Sequence, residues 1–345
     1  MKSLEMRKPD DWHIHLRDGE ALSSTVPDVE MHFARALLMP NLQPPLRNIE
    51  DKEQYDVRVR AKLKPGSDFQ PYYALYLTDA TTPADVAAAA KVDGVLGFKL
   101  YPQGATTHSD AGVSEVTALE DVFAAMAKHE VPLCVHAEVT DDDVDIFDRE
   151  AVFLAKILGP LLSRHPKLRC VVEHLTTWAG IDFVRRFDAE RVCASITAHH
   201  LFLNRNHLLV GGIQPHHFCL PVAKREEDRK ALLAAATSRD AHFFFGSDSA
   251  PHVKSKKENA CGCAGIYTAP VAMPLLAEAF DAIDRLSSLE HFTSIAGAQF
   301  YKLPLNNDRI QLERVDYDVG RTRSFGAEDV INFRDGKSSW CVATN

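Results

Sequence analysis

The segment Trp12-His13-Ile14-His15-Leu16-Arg17 sets two imidazoles and a guanidinium on alternate positions. On an extended backbone these three share one face, while Ile14 and Leu16 point the other way. Two imidazoles so spaced can ligate one metal ion, and the arginine can clamp an anionic group bidentately. The chain holds 16 histidines, so one His-x-His pair also arises by chance and decides nothing alone. Four further polar residues sit late in apolar runs: Lys99 in "GFKLYP", His136 in "CVHAEV", His174 in "VVEHLT" and Asp248 in "FFFGSDSAPH".

Lys99 is the most demanding of these. Burying its ammonium costs several kcal/mol unless the charge is paired or removed. An ordinary salt bridge would do this, and so would a Schiff base. Carboxylation by CO₂ is the third route, giving an anionic carbamate able to bridge two metal ions. With four histidines and an aspartate, that carbamate would complete a binuclear site. Nitrogen and oxygen ligands without cysteine favour zinc, although Mn, Co or Fe would suit the same set. A single interior histidine is ordinarily packing and a strand-end aspartate ordinarily a helix cap. The six together, each late in its run, argue for a site.

Eight short apolar runs could position them: "DWHIHL", "RALLMPN", "YYALYLT", "GVLGFKLYP", "PLCVHAEV", "RCVVEHLT", "VCASITAHH" and "HFFFGSDSAPH". Amphipathic stretches alternate with them, such as "ALEDVFAAMAKHE", where Leu119, Val122, Phe123 and Met126 recur at helical spacing, and "DREAVFLAKILGPLLSRH". Eight such alternations predict a (β/α)8 TIM barrel of the metal-dependent hydrolase type over residues 1–304, with chemistry at the C-terminal strand ends. An open doubly wound sheet is the second choice. Residues 305–345 turn polar and irregular, and are expected to form a small C-terminal appendage packed on the barrel, with a hairpin around Asp335-Gly336.

Composition narrows the function classes. The 345 residues are 46% apolar, enough for a substantial core, and 39 basic against 48 acidic residues give a net charge of -9. No basic block suggests a nucleic-acid surface. No apolar run reaches membrane-spanning length, and "MKSLEMRKPDD" lacks the apolar core of a secretory signal. Seven scattered cysteines without metal-type spacing read as reduced thiols of a cytoplasmic protein. His199, His200, His207, Cys261 and Cys263 read as structural or surface residues.

The segments "RKPDDWHIHLRDG", "MPNLQPP", "KLYPQGATTHSD", "VHAEVTDDDVDIFDREA", "EHLTT", "NRNHLLVGG", "CLPVAKR" and "GSDSAPH" with "KENACGCAG" together resemble the amidohydrolase superfamily, and within it the class II dihydroorotases. The resemblance implies two Zn²⁺ ions: one on His13, His15, Lys99 and Asp248, the other on Lys99, His136 and His174, with Lys99 as N6-carboxylysine. It implies that a bridging hydroxide attacks the ring amide of dihydroorotate, reversibly giving N-carbamoyl-aspartate, the third step of pyrimidine synthesis. Asp248 would be the general acid and base. Arg17, Asn41 and His252 would hold the substrate carboxylate, the backbones of Leu220 and Ala264 the ring, and Thr106 and Thr107 a flexible loop over the site. Asn41 also reads as a turn residue before Pro44-Pro45. His108 and Ala137 depart from the family pattern. A homodimer acting on a small molecule, without nucleic acid or membrane, is expected. The same metals on an uncharged ring, as in a hydantoinase or dihydropyrimidinase, and a metal-free scaffold protein are the competing readings.

Overall fold

The computed structural model describes residues 3–343. A first strand, β1 (Ser3–Arg7), precedes eight parallel strands: β2 (Asp10–Ile14), β3 (Arg35–Leu38), β4 (Gln70–Tyr76), β5 (Val95–Leu100), β6 (Leu133–Val135), β7 (Cys170–Val172), β8 (Val192–Ile196) and β9 (Phe243–Phe245). They neighbour one another in chain order. Between β9 and β2 the barrel closes through Asp248 N–H to the His13 carbonyl (2.8 Å) and His15 N–H to the Ser249 carbonyl (3.1 Å). The expected TIM barrel is the observed fold, and each of the eight predicted runs overlaps a barrel strand.

Strands this short and apolar are what a sheet covered on both faces requires. Phe98, Leu100, Leu133, Val135, Phe243 and Phe245 turn outward into the main core under the helices. Cys134, Val171, Cys193 and Phe244 turn inward and pack with Trp12, Phe300 and Tyr301, which plug the N-terminal end of the barrel. Trp12 and Tyr301 lie 4.9 Å apart, centre to centre. The barrel interior is filled at that end, and the polar strand-end residues lie at the other.

The helix Glu120–His129 buries Val122, Phe123 and Met126 and stops where Glu130 turns left-handed. Leu119 is buried beside them but ends the preceding 3-10 turn, Val116–Leu119. The second predicted helix is interrupted. Between Arg149–Phe153 and Gly159–Arg164 lies a π-turn, Leu154–Leu158, with Gly159 N–H bonded to the Leu154 carbonyl five residues back. Pro160 follows and has no N–H to continue the regular ladder, so the ladder widens there.

After residue 304 the described residues form six strands: β10 (Arg309–Glu313), β11 (Tyr317–Asp318), β12 (Thr322–Phe325), β13 (Glu328–Ile331), β14 (Lys337–Ser338) and β15 (Cys341–Val342). β10 pairs with β1 on one side and β15 on the other, joining the two ends of the chain. The hairpin expected around Asp335-Gly336 is corrected. β13 pairs instead with β12 across Gly326-Ala327, and β14 pairs with β11. Gly326, at φ 66°, supplies the two-residue turn. Arg334 and Asp335 are left-handed too, but the strand before them is already paired.

Candidate active site and metal centre

The six polar residues of the apolar runs meet at the C-terminal end of the barrel. His15 Nε2 is 3.0 Å and His13 Nε2 3.5 Å from Asp248 Oδ1. The rings of His13 and His15 are 5.4 Å apart, His13 and His174 5.0 Å, and His136 and His174 4.8 Å. Lys99 Nζ lies 4.9 Å from the Tyr101 ring, which in turn leans toward His136. All six are buried.

Two backbone features bring them together. His174 and Asp248 hold φ of 41° and 45°, left-handed values that cost energy in non-glycine residues. Gly246 lets β9 approach β2: a Cβ there would stand 2.8 Å from His13 Cβ. The first strand does less than its alternation suggests. β2 ends at Ile14, and Arg17 reaches the site through a left-handed turn at φ 62° rather than along an extended strand.

Burial sets the charges. It pulls His15 down to about 4 and His174 well below the ordinary histidine range, leaving neutral rings with free lone pairs. Burial pushes Asp248 up, but the hydrogen bond from His15 and the nearby imidazoles outweigh it and keep the carboxylate ionised. Neutral histidines and an ionised aspartate are the protonation states that metal binding requires. Burial also lowers Lys99, with Glu173 opposing, and Lys99 Nζ is fully buried without a hydrogen-bond partner among the described residues. An unmodified ammonium would be unsatisfied there, so the donor set fits a carbamate and a pair of divalent ions.

A second layer, missed in the sequence, orients the first. Glu173 Oε2 stands 2.9 Å from His13 Nδ1 and accepts the Ser195 hydroxyl at 2.5 Å. Glu138 Oε2 stands 2.9 Å from His136 Nε2, with Lys224 Nζ 4.0 Å from its other oxygen. These contacts leave His13 Nε2 and His136 Nδ1 to face the site. The signal was present as a glutamate inside each of the apolar runs "CVHAEV" and "VVEHLT".

The remaining predicted residues form one wall and roof. Arg17 Nε donates to the Pro251 carbonyl (3.1 Å), and its Nη2 is 3.0 Å from His252 Nε2. Its Nη1 is buried and, among the described residues, unpartnered. Asn41 Nδ2 donates to the Thr107 carbonyl (3.2 Å), and the Thr107 hydroxyl donates to the Ala264 carbonyl (3.3 Å). The loop carrying Thr106 and Thr107 is thus folded over the site. His108 Nδ1 lies 3.4 Å from the Asn41 carbonyl oxygen, so this departure from the family pattern sits in the roof. Arg17, Asn41, Thr106, Thr107, Leu220 and Ala264 line the same small cavity as His15, His136, His174 and Asp248. Lys99 and His252 do not line it: Lys99 Nζ lies against the Tyr101 ring, which does, and His252 against Arg17.

His199, His200 and Cys219 form a second buried cluster nearby. Both nitrogens of His200 are engaged, with the Thr197 hydroxyl (2.9 Å) and the Pro221 carbonyl (3.1 Å). A larger cavity of about 1090 Å³ opens beside Arg169, Glu190, Phe300 and Lys302, at the N-terminal end of the barrel, and holds none of the candidate residues.

Comparison with known proteins agrees with the fold. The Amidohydrolase family pattern matches residues 11–311. A dihydroorotase of Alkalilimnicola ehrlichii is 49% identical over 343 residues, covering 99% of this chain and 100% of its own. The crystal structure of a Campylobacter jejuni dihydroorotase superposes with TM-score 0.91 at 33% identity, covering 100% and 98% of the two chains. A Saccharomyces cerevisiae dihydroorotase, crystallised with 5-fluoroorotic acid, gives TM-score 0.91 at 32% identity over 99% of each chain. The chain belongs to the amidohydrolase family, in its dihydroorotase branch, and is a hydrolase of cyclic amides.

Proposed function

We propose that this chain catalyses the reversible hydrolysis of (S)-dihydroorotate to N-carbamoyl-L-aspartate, closing the ring in the biosynthetic direction, as the third step of pyrimidine synthesis. The observation that carries the reading is a pair of unsatisfied buried groups at one site, Arg17 in the wall of the small cavity and Lys99 among the candidate metal ligands behind its lining. Among the described residues Lys99 Nζ lacks a hydrogen-bond partner where a carbamate would stand, and Arg17 Nη1 lacks one at the cavity wall, where a substrate carboxylate would stand.

His13, His15, Lys99 and Asp248 would hold one Zn²⁺, and Lys99, His136 and His174 the other. Bound there, the pair supplies a water of lowered pKa and polarises the amide carbonyl. Arg17, Asn41 and His252 hold the carboxylate, and the backbones of Leu220 and Ala264 the ring edge. Asp248 takes the proton of the attacking water and delivers it to the ring nitrogen as the carbon–nitrogen bond breaks. Ring closure runs the same transfers in reverse. Thr107 bridges the roof to Ala264, and with Thr106 beside it in the cavity lining excludes bulk water.

A neutral cyclic ureide would leave Arg17 Nη1 unpaired, which favours a carboxylate-bearing ring over a hydantoin. A cytoplasmic homodimer completes the reading, and sedimentation of the purified protein tests the dimer. The first experiment is metal analysis with dihydroorotate turnover on one preparation. About two metals per chain and turnover of dihydroorotate are expected; metal with turnover of hydantoin but not dihydroorotate would replace this substrate.

A further inference from the structure

The turn Lys254–Lys257 presents three lysines of different fates: Lys254 and Lys256 are exposed, whereas Lys257 is buried at 2% exposure. Its Nζ donates to three carbonyls: Phe218 (2.8 Å), Cys263 (2.8 Å) and Gly265 (2.7 Å). All three donors of the ammonium are used, and among the described residues no carboxylate pairs with it. A buried cation without an anion is costly, and backbone hydrogen bonds would fix an ordinary loop without it.

What the ammonium ties together is the substrate-facing wall. Phe218 lies two residues before Leu220, and Cys263 and Gly265 flank Ala264; Leu220, Ala264 and Gly265 all line the cavity. Gly265 N–H also bonds to the Phe218 carbonyl, at 3.0 Å. On the far side the segment is wedged, because a Cβ on Gly265 would lie 2.5 Å from the Ala250 carbonyl and 2.9 Å from His252 Cδ2. The Ala264 carbonyl is where the Thr107 hydroxyl lands. One side chain thus sets the wall, the landing point of the roof and the spacing to His252.

We infer that Lys257 is a positioning residue for substrate binding: its ammonium, behind the wall, fixes the Leu220 and Ala264 backbones at the spacing the ring and the roof loop require. This rests on the substrate reading above. Lys257 hydrogen-bonds none of the candidate metal ligands and does not line the cavity, so its loss acts on recognition more than on the chemical step.

The test compares Lys257→Met, Gly265→Ala and wild type by steady-state kinetics, metal content and hydrogen exchange. Lys257→Met keeps the length of the chain and removes the three donors. Expected are a KM for dihydroorotate raised tenfold or more, kcat lowered less than threefold, unchanged metal content, and exchange at Gly265 faster by at least tenfold with β5 to β8 unaffected. Gly265→Ala displaces the same wall while keeping the charge and gives the same KM-weighted loss. If Lys257→Met leaves KM within twofold while Gly265→Ala raises it, Lys257 is not the positioning group. Equal losses in kcat and metal content mark a general structural role and overturn the inference as well. Should Lys257→Met not fold, Lys257→Arg, which keeps the charge but not the three-carbonyl geometry, carries the same KM criterion. Should wild type not turn over dihydroorotate, the substrate reading fails. The exchange at Gly265 then still decides whether Lys257 holds the wall, and unchanged exchange overturns it.

Discussion

Lys99 is the residue on which the metal reading turns, because a buried amine without a partner is stable only if chemistry or a ligand satisfies it. Lys99→Ala is expected to abolish metal retention and turnover together, measured by elemental analysis and dihydroorotate hydrolysis; full activity in the variant would sink the carbamate. Glu173→Gln keeps the shape beside His13 but removes the carboxylate that orients its ring. Metal affinity should fall about 10- to 100-fold, read by competition with a chelator. Arg17→Met removes a charge-assisted contact of about 2 kcal/mol, near thirtyfold in KM for dihydroorotate. An uncharged ureide should lose little, and equal losses on both substrates would remove the carboxylate clamp. The first layer was legible because each ligand interrupts an apolar run, where a polar residue needs a reason. Glu138 and Glu173 interrupt the same runs, but their targets, His136 two residues away and His13 on a distant strand, depend on how the strand ends turn.

Elements were legible where one short-range pattern governs them. The strands read as apolar runs because both faces of a barrel sheet are covered, and "FFF" at β9 admits no other use. The interrupted helix at Leu154–Leu158 was hidden because its apolar spacing continues through the π-turn, and only Pro160 marks the change. The hairpin at Asp335-Gly336 was misplaced because two turn signals competed for β13, and Gly326 held the closer partner strand. The plug of the barrel was not legible, since its fit depends on contact between distant segments. Gly297, in the helix Ala296–Phe300, packs directly on Trp12: an added Cβ would lie 2.1 Å from its indole nitrogen. Gly297→Ala should therefore destabilise by about 1–3 kcal/mol through overpacking. Urea unfolding measures this, and an unchanged midpoint would mean that the plug yields without strain.

The molecule closes on itself, with β1 and β10 pairing opposite ends of the chain and β2 and β9 joining the barrel, so loosening at any seam is shared widely. Its response to acid should begin at buried neutral histidines, and His32 isolates the effect from the metal centre. It ends the helix Leu22–His32, is 1% exposed, and is held down to about 4 by burial, with Lys8 adding and an Ala269 backbone contact opposing. The folded pKa lies below the ordinary value of 6.5, so the ring stays neutral in the fold while the unfolded chain takes up a proton. Its contribution is therefore complete above pH 6.5, declines as pH falls from there toward about 4, and levels off below. Across that window the slope is up to about 1.4 kcal/mol per pH unit. Metal ligands also protonate as pH falls, but they do so in wild type and variant alike, and the difference between the two curves belongs to His32. Urea unfolding of wild type and His32→Leu at half-unit steps from pH 7 to pH 4 should give a shallower fall in the variant. Parallel curves would mean that His32 accepts its proton inside the fold, and that acid opens the barrel at another seam.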